Sequence, residues 1–167
     1  MCSSVSYPRD KSSSQGLTLL ELLVVLVILG TVVTLAVPNL FRWIENYTVW
    51  KASRQLVTDL QLAKMRAVSQ CLQHRVSFDA ADRSYKIEEG NAPRGSTAWS
   101  QISITRALSD PRNPHYAKGV ALATNFTNNV VIFSTKGTAS PAGTVALTTT
   151  NYARHITVIL TGRIRSG

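Results

Sequence analysis

Gly16-Leu17-Thr18-Leu19-Leu20-Glu21-Leu22-Leu23-Val24-Val25-Leu26-Val27-Ile28-Leu29-Gly30 opens a run that stays largely apolar to Val37, with Glu21 as its only charge. As a helix, residues 17–37 span about 31 Å, close to the ~30 Å hydrocarbon thickness of a bilayer. Arg9 and Lys11 stand on one flank and Arg42 on the other. The cations of the leading segment favour keeping that end in the cytoplasm. A buried core helix in so small a protein is not expected to be apolar all round for more than about five turns.

What precedes the run matters as much. Residues 1–16 are polar and Ser-rich, and a small residue, Gly16, stands immediately before the apolar stretch. A secretory signal has the reverse order, with its apolar part ahead of the cut. Cleavage after Gly16 would keep the stretch in the product. Glu21 is then the informative exception, because a carboxylate at the midplane of a bilayer costs about 2.5–3.5 kcal/mol. The segment supplies no cation within a helical turn. Two arrangements relieve the charge: pairing with an amine created at Leu17, in the same or a neighbouring subunit, or snorkelling to the headgroups.

This run resembles the class III signal of type IV prepilins and of type II secretion pseudopilins. The resemblance implies that a prepilin peptidase cuts after Gly16 and methylates the new amine of Leu17. Leu17 stands where phenylalanine is commoner, and Glu21 falls fifth after the cut, as in that family. It further implies a single-pass inner-membrane protein with its head in the periplasm, recruited with other pilin subunits into a filament. There the helices pack together and Glu21 pairs with a neighbour's amine. Residues 1–16 are then a leader, 17–38 the transmembrane and filament-core helix, and 39–167 the head.

Pro38 removes a backbone donor and disfavours helix at Val37, which predicts a bend. Helical spacing resumes with Trp43, Tyr47, Trp50 and Val57, together with Leu56, Leu60, Ala63 and Ala67. These predict an amphipathic helix over about 39–70, with Arg42, Lys51, Arg54, Lys64 and Arg66 on its outer face. A β-rich region over about 72–165 follows. Its expected strands are Arg75–Phe78, Tyr85–Ile87, Trp99–Ala107, Val120–Ala123, Val130–Phe133, Val145–Leu147 and Tyr152–Leu160. In the last of these, Ile156, Val158 and Leu160 share one face. The fold class is α+β: a long N-terminal helix, transmembrane then amphipathic, packed on a small antiparallel β-sheet head as in pilins.

Enzymatic chemistry finds no support. His74, His115 and His155 lack metal-ligand spacing, and there is no G-x-S-x-G or Gly-rich phosphate loop. Asp79 and Asp82 flank a turn, where carboxylates are usually structural. No metal, cofactor or catalytic residue is expected. Removal of the leader takes Cys2 away, leaving Cys71 without a partner and expected to be a buried, inert thiol.

The charge is +9, with 18 basic and 9 acidic residues. Asp110 is the last acidic side chain, yet Arg112, Lys118, Lys136, Arg154, Arg163 and Arg165 follow it. A field of one sign suits a polyanion or an anionic surface, or serves only for solubility. The chain ends Leu160-Thr161-Gly162-Arg163-Ile164-Arg165-Ser166-Gly167. If the part beyond Gly162 is extended, Arg163 and Arg165 fall on one face about 6–7 Å apart. That matches the ~7 Å rise of two nucleotides along one DNA strand. Each guanidinium can grip a phosphate with two hydrogen bonds.

The head and tail resemble the FimT/GspH group of minor pilins and pseudopilins. In the FimT branch a C-terminal G-R-x-R motif is associated with DNA binding in natural transformation, and Gly162-Arg163-Ile164-Arg165 matches it without a gap. The resemblance implies a minor pilin that takes up extracellular DNA without sequence preference. Arg163 and Arg165 would be the phosphate contacts, extended by Lys118, Lys136, Arg154 and Arg112. The alternative is a GspH-like minor pseudopilin of a type II secretion system that acts through protein contacts.

Overall fold

The computed structural model describes residues 18–167, with backbone alone for 35–39. The expected leader, with Cys2 and Gly16, and Leu17 lie outside the described residues. One helix, α1, runs Leu19–Ser69 and includes Pro38, where a bend is expected. The chain divides nearby into two units, Met1–Asn39 and Leu40–Gly167.

In the first unit every described side chain from Thr18 to Thr34 is exposed. Thr18 caps α1, its Oγ1 accepting the Glu21 backbone N–H at 3.2 Å. Thr and Glu at this spacing form the sequence of a capping box, and a carboxylate in the first turn complements the helix dipole. Glu21 therefore has a local structural role besides the one read from the sequence. Thr31 and Thr34 donate their hydroxyls to the carbonyls of Ile28 and Gly30, both at 2.8 Å. Among the described residues no helix is long and apolar enough to cross a membrane. The apolar side chains described, 19–34, make roughly 24 Å of helix.

The second unit holds the whole described core. Val49, Ala52, Leu56, Leu60, Ala63 and Ala67 recur every three or four residues along α1 and are all buried. They belong to one apolar cluster with the inner faces of two antiparallel sheets. The first sheet comprises β1 (His74–Asp79), β2 (Ser84–Gly90), β3 (Trp99–Gln101), β4 (Arg106–Ala107), β6 (Val130–Phe133) and β7 (Ala139–Ser140). Its order is β3-β2-β1-β6-β7, with β4 also on β2. Val76 faces Ile87 on one side and Val131 on the other, so strand alternation delivers one apolar face. The second sheet has the order β10-β9-β8-β5, from β5 (Ala121–Thr124), β8 (Gly143–Thr148), β9 (Ala153–Val158) and β10 (Ile164–Ser166). Leu122, Val145, Leu147, Ile156 and Val158 are its buried residues.

A buried polar node ties α1 to the first sheet. Asp59 accepts from Tyr85 Oη at 2.7 Å and from Arg106 Nε at 3.2 Å. Burial, reinforced by the Asp59 carboxylate, pushes the Tyr85 phenol well above its ordinary range. Its neutral O–H is thereby kept as a donor. On the opposite face of the sheet buried Glu88 takes Arg75 Nε at 2.6 Å and Lys86 Nζ at 3.2 Å. The Arg75 guanidinium lies 4.4 Å from the centroid of the Trp99 ring. Asp79 accepts from the backbone N–H groups of Ala81 and Asp82, which is the structural turn role expected of it.

Five sequence expectations need correction. Cys71 is exposed, because α1 stops at Ser69 and Cys71 takes a left-handed φ of 55° where the chain leaves the helix. Trp43, Tyr47 and Trp50 do not share the buried stripe. They form an exposed row of stacked rings, 5.7 and 6.0 Å between centroids. Leu160 is exposed because β9 ends at Val158 and a turn begins, closed by the Gly162 N–H on the Ile159 carbonyl at 2.8 Å. Trp99–Ala107 is two short strands rather than one, with Gln101 bonding Ser103 O and Thr105 Oγ1 across the break. Lys64 is not on the outer face: its ammonium reaches the Gly162 carbonyl at 2.9 Å.

Candidate functional site

The tail carries the motif on a built hairpin. Gly162 has φ +73°, a conformation that side chains with a Cβ rarely adopt. A Cβ placed there would overlap the Gly137 carbonyl oxygen. This glycine is thus required twice, by its torsion and by the close passage of a second backbone. Beyond it β10 pairs antiparallel with β9, with Ile164 opposite Val158, Arg165 opposite Thr157 and Ser166 opposite Ile156. Ile164 packs half-buried against the core. Alternation then turns Arg163 and Arg165 to the other face, and both are exposed. The extended geometry assumed from the sequence is therefore present.

The remaining basic candidates divide. Lys136 belongs with the tail. It is exposed in the Ser134–Thr138 turn, next to the Gly137 that abuts Gly162. The Ala139 N–H donates to the Leu160 carbonyl at 3.0 Å and fixes the two turns side by side. Lys118 lies at the far end of the head. It lines a cavity of about 260 Å³ with Ile44, Glu45 and Thr48, whereas the tail meets α1 at Lys64. Glu45 and Lys64 are roughly 28 Å apart along a helix. Arg154 is half-buried on β9, on the same side of the strand as Ile156 and Val158, and so on the face opposite Arg165. It adjoins the turn where Asn151 Nδ2 donates to Glu45 Oε2 at 2.7 Å. Arg112 is exposed in the loop between β4 and β5, where its N–H bonds the Asp110 carboxylate at 2.9 Å.

Three residues at this end were not assigned to the site from the sequence. Exposed His155 shares the outer face with Arg165, diagonally across the β9–β10 pair. Lys64 braces the turn that carries the motif. Arg94 lines a cleft with Lys136. Alternation along β9 could have exposed the first; the other two depend on contacts far apart in sequence. Among the described residues no group of His, Cys, Asp and Glu could hold a metal ion.

Comparison with known proteins bears on both ends of the chain. Residues 52–162 match the family described as type II transport protein GspH. Residues 11–37 match the prokaryotic N-terminal methylation motif. The GspH match stops at Gly162 and leaves Arg163 and Arg165 outside it. Type II secretion system core protein G of Pectobacterium carotovorum subsp. carotovorum is 36% identical over 115 residues, 69% of this chain. The chain spans 61% of the length of that relative. Among solved structures, the minor pseudopilin EpsH from the type 2 secretion system of Vibrio cholerae aligns with TM-score 0.52 at 14% identity, covering 69% of this chain and 92% of that one. The type IV minor pilin FimU of Pseudomonas aeruginosa aligns with TM-score 0.55 at 18% identity, covering 74% and 90%. At such identities the two structures establish a shared α+β fold. The family matches add the rest: the chain belongs to the GspH family and is a type IV pilin-like protein of the minor pilin or pseudopilin kind.

Proposed function

We propose that this chain is a minor type IV pilin that captures extracellular DNA through its C-terminal hairpin. The observation that carries the reading is the outer face of the C-terminal hairpin, where Arg163, just before β10, and Arg165, within it, stand exposed either side of half-buried Ile164. Two guanidiniums at that spacing can each meet a phosphate of the same strand, and phosphates carry no base information, so binding is independent of sequence. In this reading the peptidase cuts between Gly16 and Leu17 and methylates Leu17. The apolar half of α1 then holds the chain in the inner membrane until Glu21 pairs with a neighbouring subunit in the filament. One head binds weakly, and several along a filament gain by avidity.

The test uses the full chain in non-ionic detergent and a random-sequence duplex, titrated at several salt concentrations. Arg163→Gln with Arg165→Gln should lower affinity and flatten the plot of log K against log salt by about 1.8, or 0.9 per phosphate contact. Unchanged binding removes the assigned site. Mass spectrometry of protein extracted from membranes reads the anchor: an intact junction after Gly16 defeats the assembly step.

The relation to a type II secretion core protein favours a second reading, a minor pseudopilin working by protein contacts. It requires the two arginines to be no better at holding DNA than two cations elsewhere on the head. Arg42→Gln with Arg83→Gln supplies that comparison.

A further inference from the structure

The tail does not stand alone at its end of the head. Three connections meet there: the β2–β3 loop, the β6–β7 turn and the β9–β10 turn. Between the first two lies a cleft of about 300 Å³ lined by Gln73, Pro93, Arg94, Ser134, Lys136 and Thr138, among others. It has one cation on each wall, and no acidic residue lines it. Neither Arg94 nor Lys136 makes an ion pair among the described residues, whose ion pairs lie elsewhere.

Both walls are braced. Gln73 Oε1 accepts the Ser96 N–H at 2.8 Å, and its backbone bonds Ala92 and Gly90. Ser96 Oγ donates to the Ala92 carbonyl at 2.8 Å, and Asn91 Oδ1 accepts from Thr97 and Ala98. Opposite, Ser134 and Thr138 exchange a backbone bond of 2.9 Å and a hydroxyl contact of 2.7 Å across the turn that bears Lys136. Loops ordered in advance leave only the two side chains to be immobilised when an anion arrives. The Gly137–Gly162 contact then makes the cleft continuous with the motif. Since those backbones touch, the Cα atoms of Lys136 and Arg163 lie within about 12 Å, close enough for both side chains to reach one stretch of strand.

We propose that this cleft is a further phosphate subsite for nucleic acid, in which Arg94 and Lys136 together grip one backbone phosphate of the strand held by Arg163 and Arg165. The subsite rests on the DNA-capture reading and lengthens its footprint from a two-residue tip to a track across three loops.

The test again uses the full chain in non-ionic detergent and a random-sequence duplex. Arg94→Gln with Lys136→Gln should reduce the salt slope by about 0.9, one phosphate, against about 1.8 for the tail pair. The charge-matched Arg42→Gln with Arg83→Gln should leave the slope at the wild-type value. A urea unfolding midpoint equal to wild type shows that the cleft variant keeps its fold; if its midpoint drops, the singly substituted Lys136→Met serves and should still lower the slope. A wild-type slope in folded cleft variants overturns the subsite while the tail reading stands, provided the tail pair lowers it. A loss in the Arg42/Arg83 control equal to that of the cleft pair also overturns it, since net charge then explains the effect. If the tail pair too is without effect, both readings fall.

Discussion

Replacing Gly162 by alanine should destabilise the head by on the order of 3 kcal/mol, and the structure separates the contributions. The first is torsional. At φ +73° an L-residue other than glycine costs about 1 kcal/mol. The second is steric. The new methyl would overlap the Gly137 oxygen, lie 3.1 Å from the Gly137 carbonyl carbon and lie 3.3 Å from Lys64 Cε. Two of these three atoms are backbone, so one strand connection must move, and forced overpacking of this kind costs about 1–3 kcal/mol. Movement also loosens the 2.9 Å bond from Lys64 to the Gly162 carbonyl. Gly95 supplies the internal control, because its φ is +66° and an added Cβ meets nothing within 4 Å. Gly95→Ala should therefore show the torsional cost alone. Urea unfolding in non-ionic detergent, followed by tryptophan fluorescence, should place the Gly162→Ala midpoint about 1–1.5 M below wild type and the Gly95→Ala midpoint about 0.5 M below it. Equal midpoints for the two variants would refute the argument that a second backbone, rather than torsion alone, demands this glycine.

Asp59→Ala should cost about 3–5 kcal/mol in the same assay, because it strands the buried Tyr85 hydroxyl and the Arg106 guanidinium; a loss under about 1 kcal/mol would show that water replaces the carboxylate. Of the five tyrosines, Tyr85 should resist ionisation in an alkaline ultraviolet titration of the folded chain; since its folded pKa lies above the unfolded one, the stability tied to it is intact below the ordinary value of 10 and lost only as pH rises further. Glu88 works in the opposite direction. Desolvation raises its pKa, but Arg75 and Lys86 outweigh it, and the net value falls below the ordinary 4.5. Its contribution is full above that value and lost as pH drops through and below it, so Glu88→Gln should flatten the acid limb of a stability–pH curve. Cys71 should react with a maleimide in the native Cys2→Ser chain nearly as fast as in urea; protection of the thiol would contradict its exposure.

The N-terminal methylation motif and the strands of the inner core were legible because each is encoded locally. A continuous apolar run, and alternations such as Val76/Phe78 and Ile156/Val158, announce themselves within a few residues. Two short strands were not. β7 has two residues and β10 three, too few for alternation to mark either. Their pairing is decided by partners distant in sequence. The exposure of Trp43, Tyr47 and Trp50 was equally hidden, since ring size suggests burial while helical phase points them away from Val49, Leu56 and Leu60. At the candidate site, the shared face of Arg163 and Arg165 was readable from their spacing. Which other cations join them was not, because the sequence records neither the meeting of Gly137 with Gly162 nor the helical length that puts Lys118 at the other end.

β10 closes one side of its sheet, and among the described residues no strand lies beyond its outer backbone groups. Such a border invites another chain to add itself in register. Here the invitation is blunted, because a second copy laid alongside would bring like charges from Arg163 and Arg165 of each molecule together. The same two side chains thus oppose pairing of this edge with a second copy, and neutralising them removes that opposition.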